Sequence, residues 1–233
     1  MNASPRSSGI VICGNIGGVH NVEPLSKVTS LLQANPEGIL PLVHAGDPVL
    51  RNDAAKYEGQ LGDLLADFLH AMHATMLDAP GVGVAAPQVG VPLAIAVMWD
   101  PGTENPQDPR ERTAFEYRVI INPSYEPIGT EKVTFYEGCL SVPGFQAAVA
   151  RYRTIRLRAT DQHGNAIDEV LTGWPARIAQ HETDHLYSTL YLDKAEIRSL
   201  STTENLTELC SATADPSDAA RALRFDVAQK PAN

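Results

Sequence analysis

The sequence predicts an α+β protein, with small mixed or antiparallel sheets packed around a central helix that carries an H-E-x-x-H motif, and with extensions at both ends. Two helical patterns and a hairpin predict it. Leu61, Leu64, Leu65, Phe68, Leu69, Met72 and Met76 recur at threes and fours, the spacing of one helix face over residues 59–77. Between residues 154 and 161, Ile155, Leu157 and Ala159 alternate with Thr154, Arg156 and Arg158. A His163-Gly164-Asn165 turn then returns the chain through residues 166–171, which makes a half-buried hairpin. Immediately after it a second helix runs to about Tyr187, with Thr172 or Gly173 as N-cap and Pro175 in the first turn, where its missing N–H costs nothing.

The remaining elements follow in chain order. Residues 1–40 read as an extension docked on a core: a Ser/Gly/Asn-rich stretch, then a short amphipathic piece over 25–33 that Asn35-Pro36-Glu37-Gly38 breaks. The first long helix stops at Ala79-Pro80-Gly81. Residues 92–99 and 117–122 read as two strands joined by a long, polar, proline-rich loop, whose Arg110 and Arg112 lie among Asp108 and Glu111 as a solvated surface. His70 and His73, three apart on the first helix, have no third ligand near them in sequence and read as solvated or core-edge histidines. The catalytic core is expected over residues 41–195, with residues 196–233 as a tail that carries a short helical pattern around 204–209.

Composition limits the function classes. With 233 residues, 43% hydrophobic and 20% charged, the chain is globular rather than disordered or fibrous. Its net charge of -10 argues against direct nucleic-acid binding and against a polybasic membrane anchor. No apolar run is long enough for a spanning helix or a signal-peptide core, and Cys13, Cys139 and Cys210 are an odd, scattered set with no C-x-x-C pair. The expectation is a soluble, unprocessed protein of a reducing, cytoplasmic compartment.

His181-Glu182-Thr183-Asp184-His185 carries the chemistry. Histidines four apart on one helix face can share a metal, and the glutamate beside the first can face a water on it. Trp174, Ile178, His181, Glu182 and His185 share one stripe, so the histidines lie on the face that the core covers. A catalytic metal usually has three protein ligands. Ser188 and Tyr191 exclude a metzincin, which needs Gly and His there. Two third ligands remain open: Glu204, at the distance of a gluzincin-like metallopeptidase, and Cys139 in Glu137-Gly138-Cys139-Leu140-Ser141. A non-catalytic, metal-stabilised binding module is the alternative outside enzymes.

Three segments in order resemble the peptide deformylase family. Gly81-Val82-Gly83-Val84-Ala85-Ala86-Pro87-Gln88 matches its G-x-G-x-A-A-x-Q, residues 137–141 match E-G-C-L-S, and residues 180–186 match Q-H-E-x-D-H-L. Residues 46–51 are also similar to the family's first strand region, so the resemblance covers about 41–195. It implies a hydrolase that removes the formyl group from the N-terminal formyl-methionine of newly made proteins, and so serves protein biosynthesis. Its ligands would be Cys139, His181 and His185, its cofactor one divalent metal ion, Fe2+ first and Zn2+ or Ni2+ as other occupants.

In that scheme a metal-bound water attacks the formamide, Glu182 is general base and then acid, and Gln88 with the Leu140 N–H stabilises the oxyanion. Gly81 and Gly83 would let an extended substrate lie against the backbone, Val82, Phe135, Leu140 and Ile178 would line the methionine pocket, and Gly138 would join the substrate site. Glu137 reads equally as an anchor for a ligand or as a surface carboxylate. Partners would be N-formyl-methionyl peptides and nascent chains, with transient ribosome proximity.

Two departures stand out. Ser188 replaces the family's glycine, a cost of about 1 kcal/mol if that site needs a left-handed backbone. Gln146 stands where some members carry an arginine that grips the substrate backbone.

Overall fold

The computed structural model describes residues 23–79, 81–209 and 213–228. The Ser/Gly/Asn-rich start of the N-terminal extension, Cys13, Pro80 and Cys210 lie outside them. Helix α1 (Pro24–Ala34) begins with proline in its first turn and buries Val28 in the cluster that α2 (Leu64–Asp78) fills with Phe68, Leu69, Met72 and Met76. The first long helix therefore starts five residues later than its periodicity predicts. Gly59 and Gly62 take φ of 96° and 51°, a turn incompatible with helix, yet that turn still delivers Leu61 to the core. Residues 46–51 form no strand: Pro48–Arg51 is a 3-10 turn, and the Asp47 carboxylate accepts from the Val49 N–H at 2.9 Å.

Strands β1 (Gly83–Ala85), β2 (Ile95–Asp100), β3 (Phe115–Pro127), β6 (Thr154–Thr160) and β7 (Ala166–Thr172) form a five-stranded sheet in the order β1-β2-β3-β6-β7. Strands β4 (Lys132–Cys139), β5 (Val142–Tyr152) and β8 (Ser201–Thr202) form a second, in the order β4-β5-β8. Every strand pair in both is antiparallel. The hairpin β6–β7 turns where expected, whereas β4 and β5 go unpredicted.

Helix α3 (Trp174–Leu186) packs against strands of both sheets and is buried nearly all round. Ala176, Ile178, Ala179 and Leu186 join Ala96, Met98, Ile155 and Leu157 in one cluster. Burying an aliphatic side chain of Ile178's or Leu186's size contributes about 1.5–3 kcal/mol, so packing rather than propensity seats this helix. Gly173, at φ 69°, turns the chain into it.

The end of α3 explains one departure. Ser188 has φ 55°, the left-handed region where glycine carries no penalty. Ser188→Gly is expected to stabilise the protein by about 1 kcal/mol, read as a raised urea midpoint at unchanged slope.

The loop is not the solvated surface that its composition predicts, and the tail packs on the core. Asp100 is fully buried and held by Arg112 at 2.8 and 2.9 Å, while Glu111 pairs with Arg153 at 2.6 and 2.8 Å. In the tail, β8 pairs with β5, α4 (Thr203–Leu209) follows it, and α5 (Ser217–Leu223) sets Ala219 and Ala220 with Phe225 against Ala148 and Tyr136. His73 is likewise occupied, its ring 4.1 Å from that of Tyr117.

Candidate metal centre and substrate cleft

Strand β4 ends at Cys139, and α3 presents His181 and His185 one turn apart. One ligand atom from each lies within 4.8 Å of the others, and Cys139 Sγ is 3.3 Å from His185 Nε2. Behind them, His181 Nδ1 and Glu137 Oε2 are 3.0 Å apart. With Nδ1 donating to the carboxylate, Nε2 is left free to ligate a metal. Glu137 is thus no surface carboxylate. It is 5% exposed and takes Arg151 at 2.6 and 2.9 Å and Arg177 from the other side, while Arg151 also reaches Asp184 at 2.7 Å.

Burial and neighbouring charges shift these residues in different directions. Burial opposes charge on His181, yet Cys139 and Glu137 together raise its pKa to about 10. Burial also opposes ionisation of Glu137, and Arg151 and Arg177 overcome it, holding that carboxyl well below its usual range. His185 is driven well below its ordinary value by burial and then by the charge of His181.

Glu182 is 3% exposed and its Oε2 is buried without a hydrogen-bond partner. Burial lifts its pKa to about 7, against the pull of His181 and Arg151. Gly83 makes room for it: a Cβ there would sit 2.3 Å from Glu182 Oε1. The missing side chain of this buried residue serves the carboxylate, a different reason from the backbone surface for substrate that its motif suggests. Three donor atoms of mixed sulfur and nitrogen character, an orphaned carboxylate oxygen on a side chain of the same cleft and space cleared for that carboxylate fit a divalent metal with an exchangeable position.

Gln88 is 1% exposed and oriented from both ends of its amide. Oε1 accepts from the Ala85 N–H at 2.9 Å, and Nε2 points to Ser141 Oγ at 3.3 Å and Cys139 Sγ at 3.5 Å. The centre opens into a cleft of about 720 Å³. Gly81, Val82, Gly83, Gly138, Leu140 and Ile178 line it. Phe135 does not: it is 7% exposed and lies under the Arg177 guanidinium, 5.2 Å away, against Trp174. Arg110, Trp174 and Arg177 line the cleft unanticipated. A lone arginine between Ala176 and Ile178 on a buried helix was the available signal, because interior charges are paired. Glu204 is exposed on α4 and among the described residues belongs to no ligand cluster, so the peptidase arrangement is not formed among them.

A cysteine sulfur, two imidazoles from one helix and a buried carboxylate on an α+β frame are the kind of set that a single-metal hydrolase uses. Residues 39–200 match the family described as polypeptide deformylase. Peptide deformylase 1 of Streptomyces coelicolor is 54% identical over 193 residues, 82% of this chain and 88% of that protein. The peptide deformylase of Bifidobacterium adolescentis is 52% identical over 193 residues, with the same two shares. Among solved structures, a Met-Ala-Ser-bound class I type b peptide deformylase of Acinetobacter baumannii superposes with a TM-score of 0.61 at 33% identity, covering 67% of this chain and 98% of that one. The chain belongs to the polypeptide deformylase family. It is a metal-dependent hydrolase that removes the formyl group from nascent peptides, which leaves the non-catalytic binding module without support.

Proposed function

We propose that Cys139, His181 and His185 hold the metal, that Glu182 moves the proton, and that Gln88 and the Leu140 N–H receive the charge that develops on the formyl oxygen. One observation carries this reading: Glu182, with its partnerless, buried Oε2, lines the same cleft as Cys139 and His181 of the three converging ligands. The metal, when bound, supplies Lewis acidity toward water and toward a carbonyl. Glu182 takes the proton that water loses as it adds to the formyl carbon. As the C–N bond breaks, Glu182 returns that proton to the amine nitrogen, giving formate and a free methionine N-terminus. Because Gln88 Oε1 is tied to Ala85, the Nε2 end of its amide is the end left to donate. Gly81, Val82, Gly138, Leu140 and Ile178 line the way in and form the methionine-binding side, with Gly83 behind Glu182.

Iron(II) is the proposed occupant because the resemblance to the deformylase family implies it; the mixed nitrogen and sulfur donor set suits zinc as well, and zinc or nickel are the alternatives. Cys139→Ala is expected to lose bound metal, while Glu204→Ala keeps one ion per chain. Elemental analysis of protein purified without oxygen measures both, and metal lost only from Glu204→Ala would overturn the ligand set.

The catalytic domain is proposed to span residues 41–195, between residues 1–40 and 196–233; the family match over 39–200 supports these limits. Among the described residues no helix is long and apolar enough to cross a membrane. A cytoplasmic place near the ribosome follows from the substrate class, and the net charge of -10 requires a local surface patch for any such approach.

A further inference from the structure

The cleft does not end at the metal ligands. A second cavity, of about 340 Å³, lies between β4 and the C-terminal residues and is lined by Phe135, Leu206, Thr207 and Thr213. Arg110, Tyr136 and Gln146 line both cavities and mark their junction. The volume is within the range of ligand pockets, about 300–1,000 Å³.

Arg110 is held in place at that junction. Its Nε and Nη2 reach the Asp108 carboxylate at 2.9 and 2.7 Å, and its guanidinium lies 5.1 Å over the Trp174 ring. The loop that carries it is pressed onto the start of α3, where a Cβ on Gly173 would come 2.6 Å from the Glu111 Cβ. Opposite Gly138 in the β4–β5 register stands Gln146, whose side chain brings no charge.

We propose that the two cavities are one substrate groove, in which Arg110 grips the peptide main chain at the junction and the residues downstream of formyl-methionine lie between the 101–114 loop and α4. This rests on the deformylase reading. Asp108 nearly neutralises Arg110, so the pair offers oriented N–H donors more than net charge, and its partner is a backbone carbonyl rather than a particular side chain. Such a contact is indifferent to sequence, as a substrate class that varies after its first residue requires. Leu206 and Phe135 give the far cavity an apolar wall and Thr207 a polar one.

The test compares wild type, Arg110→Gln and Thr207→Trp on two amide-terminated peptides, formyl-Met-Ala and formyl-Met-Ala-Ser-Lys. Thr207 is exposed, so tryptophan there fills the cavity without burdening the fold. In both variants the ratio of kcat/KM for the longer to the shorter peptide is expected to fall about tenfold, through KM, with metal per chain unchanged. Calorimetric binding of the product Met-Ala-Ser-Lys amide is expected to weaken by the same factor. An unchanged ratio in both variants overturns the groove. So does an equal loss on both peptides in Thr207→Trp, whatever damage Arg110→Gln does to its loop. A wild type inactive on both peptides would instead remove the deformylase reading itself, and the groove with it.

Discussion

Glu182→Gln is expected to keep its full complement of metal and to lose about 10²–10⁴-fold in kcat on a formyl-methionyl peptide. The substitution preserves shape in a place with little slack, because Gly83 leaves space for this carboxyl and no more. It removes a buried carboxylate oxygen that can accept a proton and has no hydrogen-bond partner. KM should change little, because the loss falls on the transition state rather than on binding. Metal analysis and steady-state formate release on the same preparation decide it. Activity within tenfold of wild type would show that another group moves the proton.

Glu137→Leu is expected to destabilise the fold by about 3–5 kcal/mol. Arg151 and Arg177 are 2% and 3% exposed, and Glu137 stands between them. Without it two guanidinium groups face each other in the interior. Arg177 already feels this: burial first, and Arg151 after it, lower its pKa to about 10. Removing one cation as well should recover much of the loss, so Glu137→Leu/Arg177→Met is expected to unfold at a higher urea concentration than the single variant. Stability and metal binding should then part company. His181 has lost the acceptor for its Nδ1 in both variants, so metal affinity stays about 10–100-fold weaker in the more stable one. Metal affinity that returns with stability would mean that Glu137 serves the fold alone.

These two residues also show where the sequence is readable. The histidines, Glu182 and Cys139 declare themselves because a metal centre needs particular atoms at particular spacings, and helix α3 supplies most of that spacing locally. Glu137 is visible as a motif residue, but its role depends on Arg151 and Arg177, which arrive through β5 and α3. No local rule connects 137 to 151 and 177. Strands β4 and β5 were missed for a related reason: small residues such as Ala147, Ala148 and Ala150 blur the apolar alternation that marks a strand, and pairing with β4 makes up for it. The polar loop misleads in the opposite sense. Its charged residues resemble a solvated surface, yet Glu111 finds Arg153, 42 positions away, and Arg112 satisfies the buried Asp100.

The family match ends at residue 200, one residue before β8 begins. A chain ending there would lose the strand that pairs with Phe145 and Gln146, together with the α5 residues that cover Ala148 and Tyr136. The outer flank of β5 would then present unpaired main-chain donors and acceptors beside newly bared apolar side chains, and Phe145 is already 44% exposed. An open strand edge of that kind is a template for a second molecule, so the shortened chain should self-associate as its concentration rises. Those last residues cover that edge.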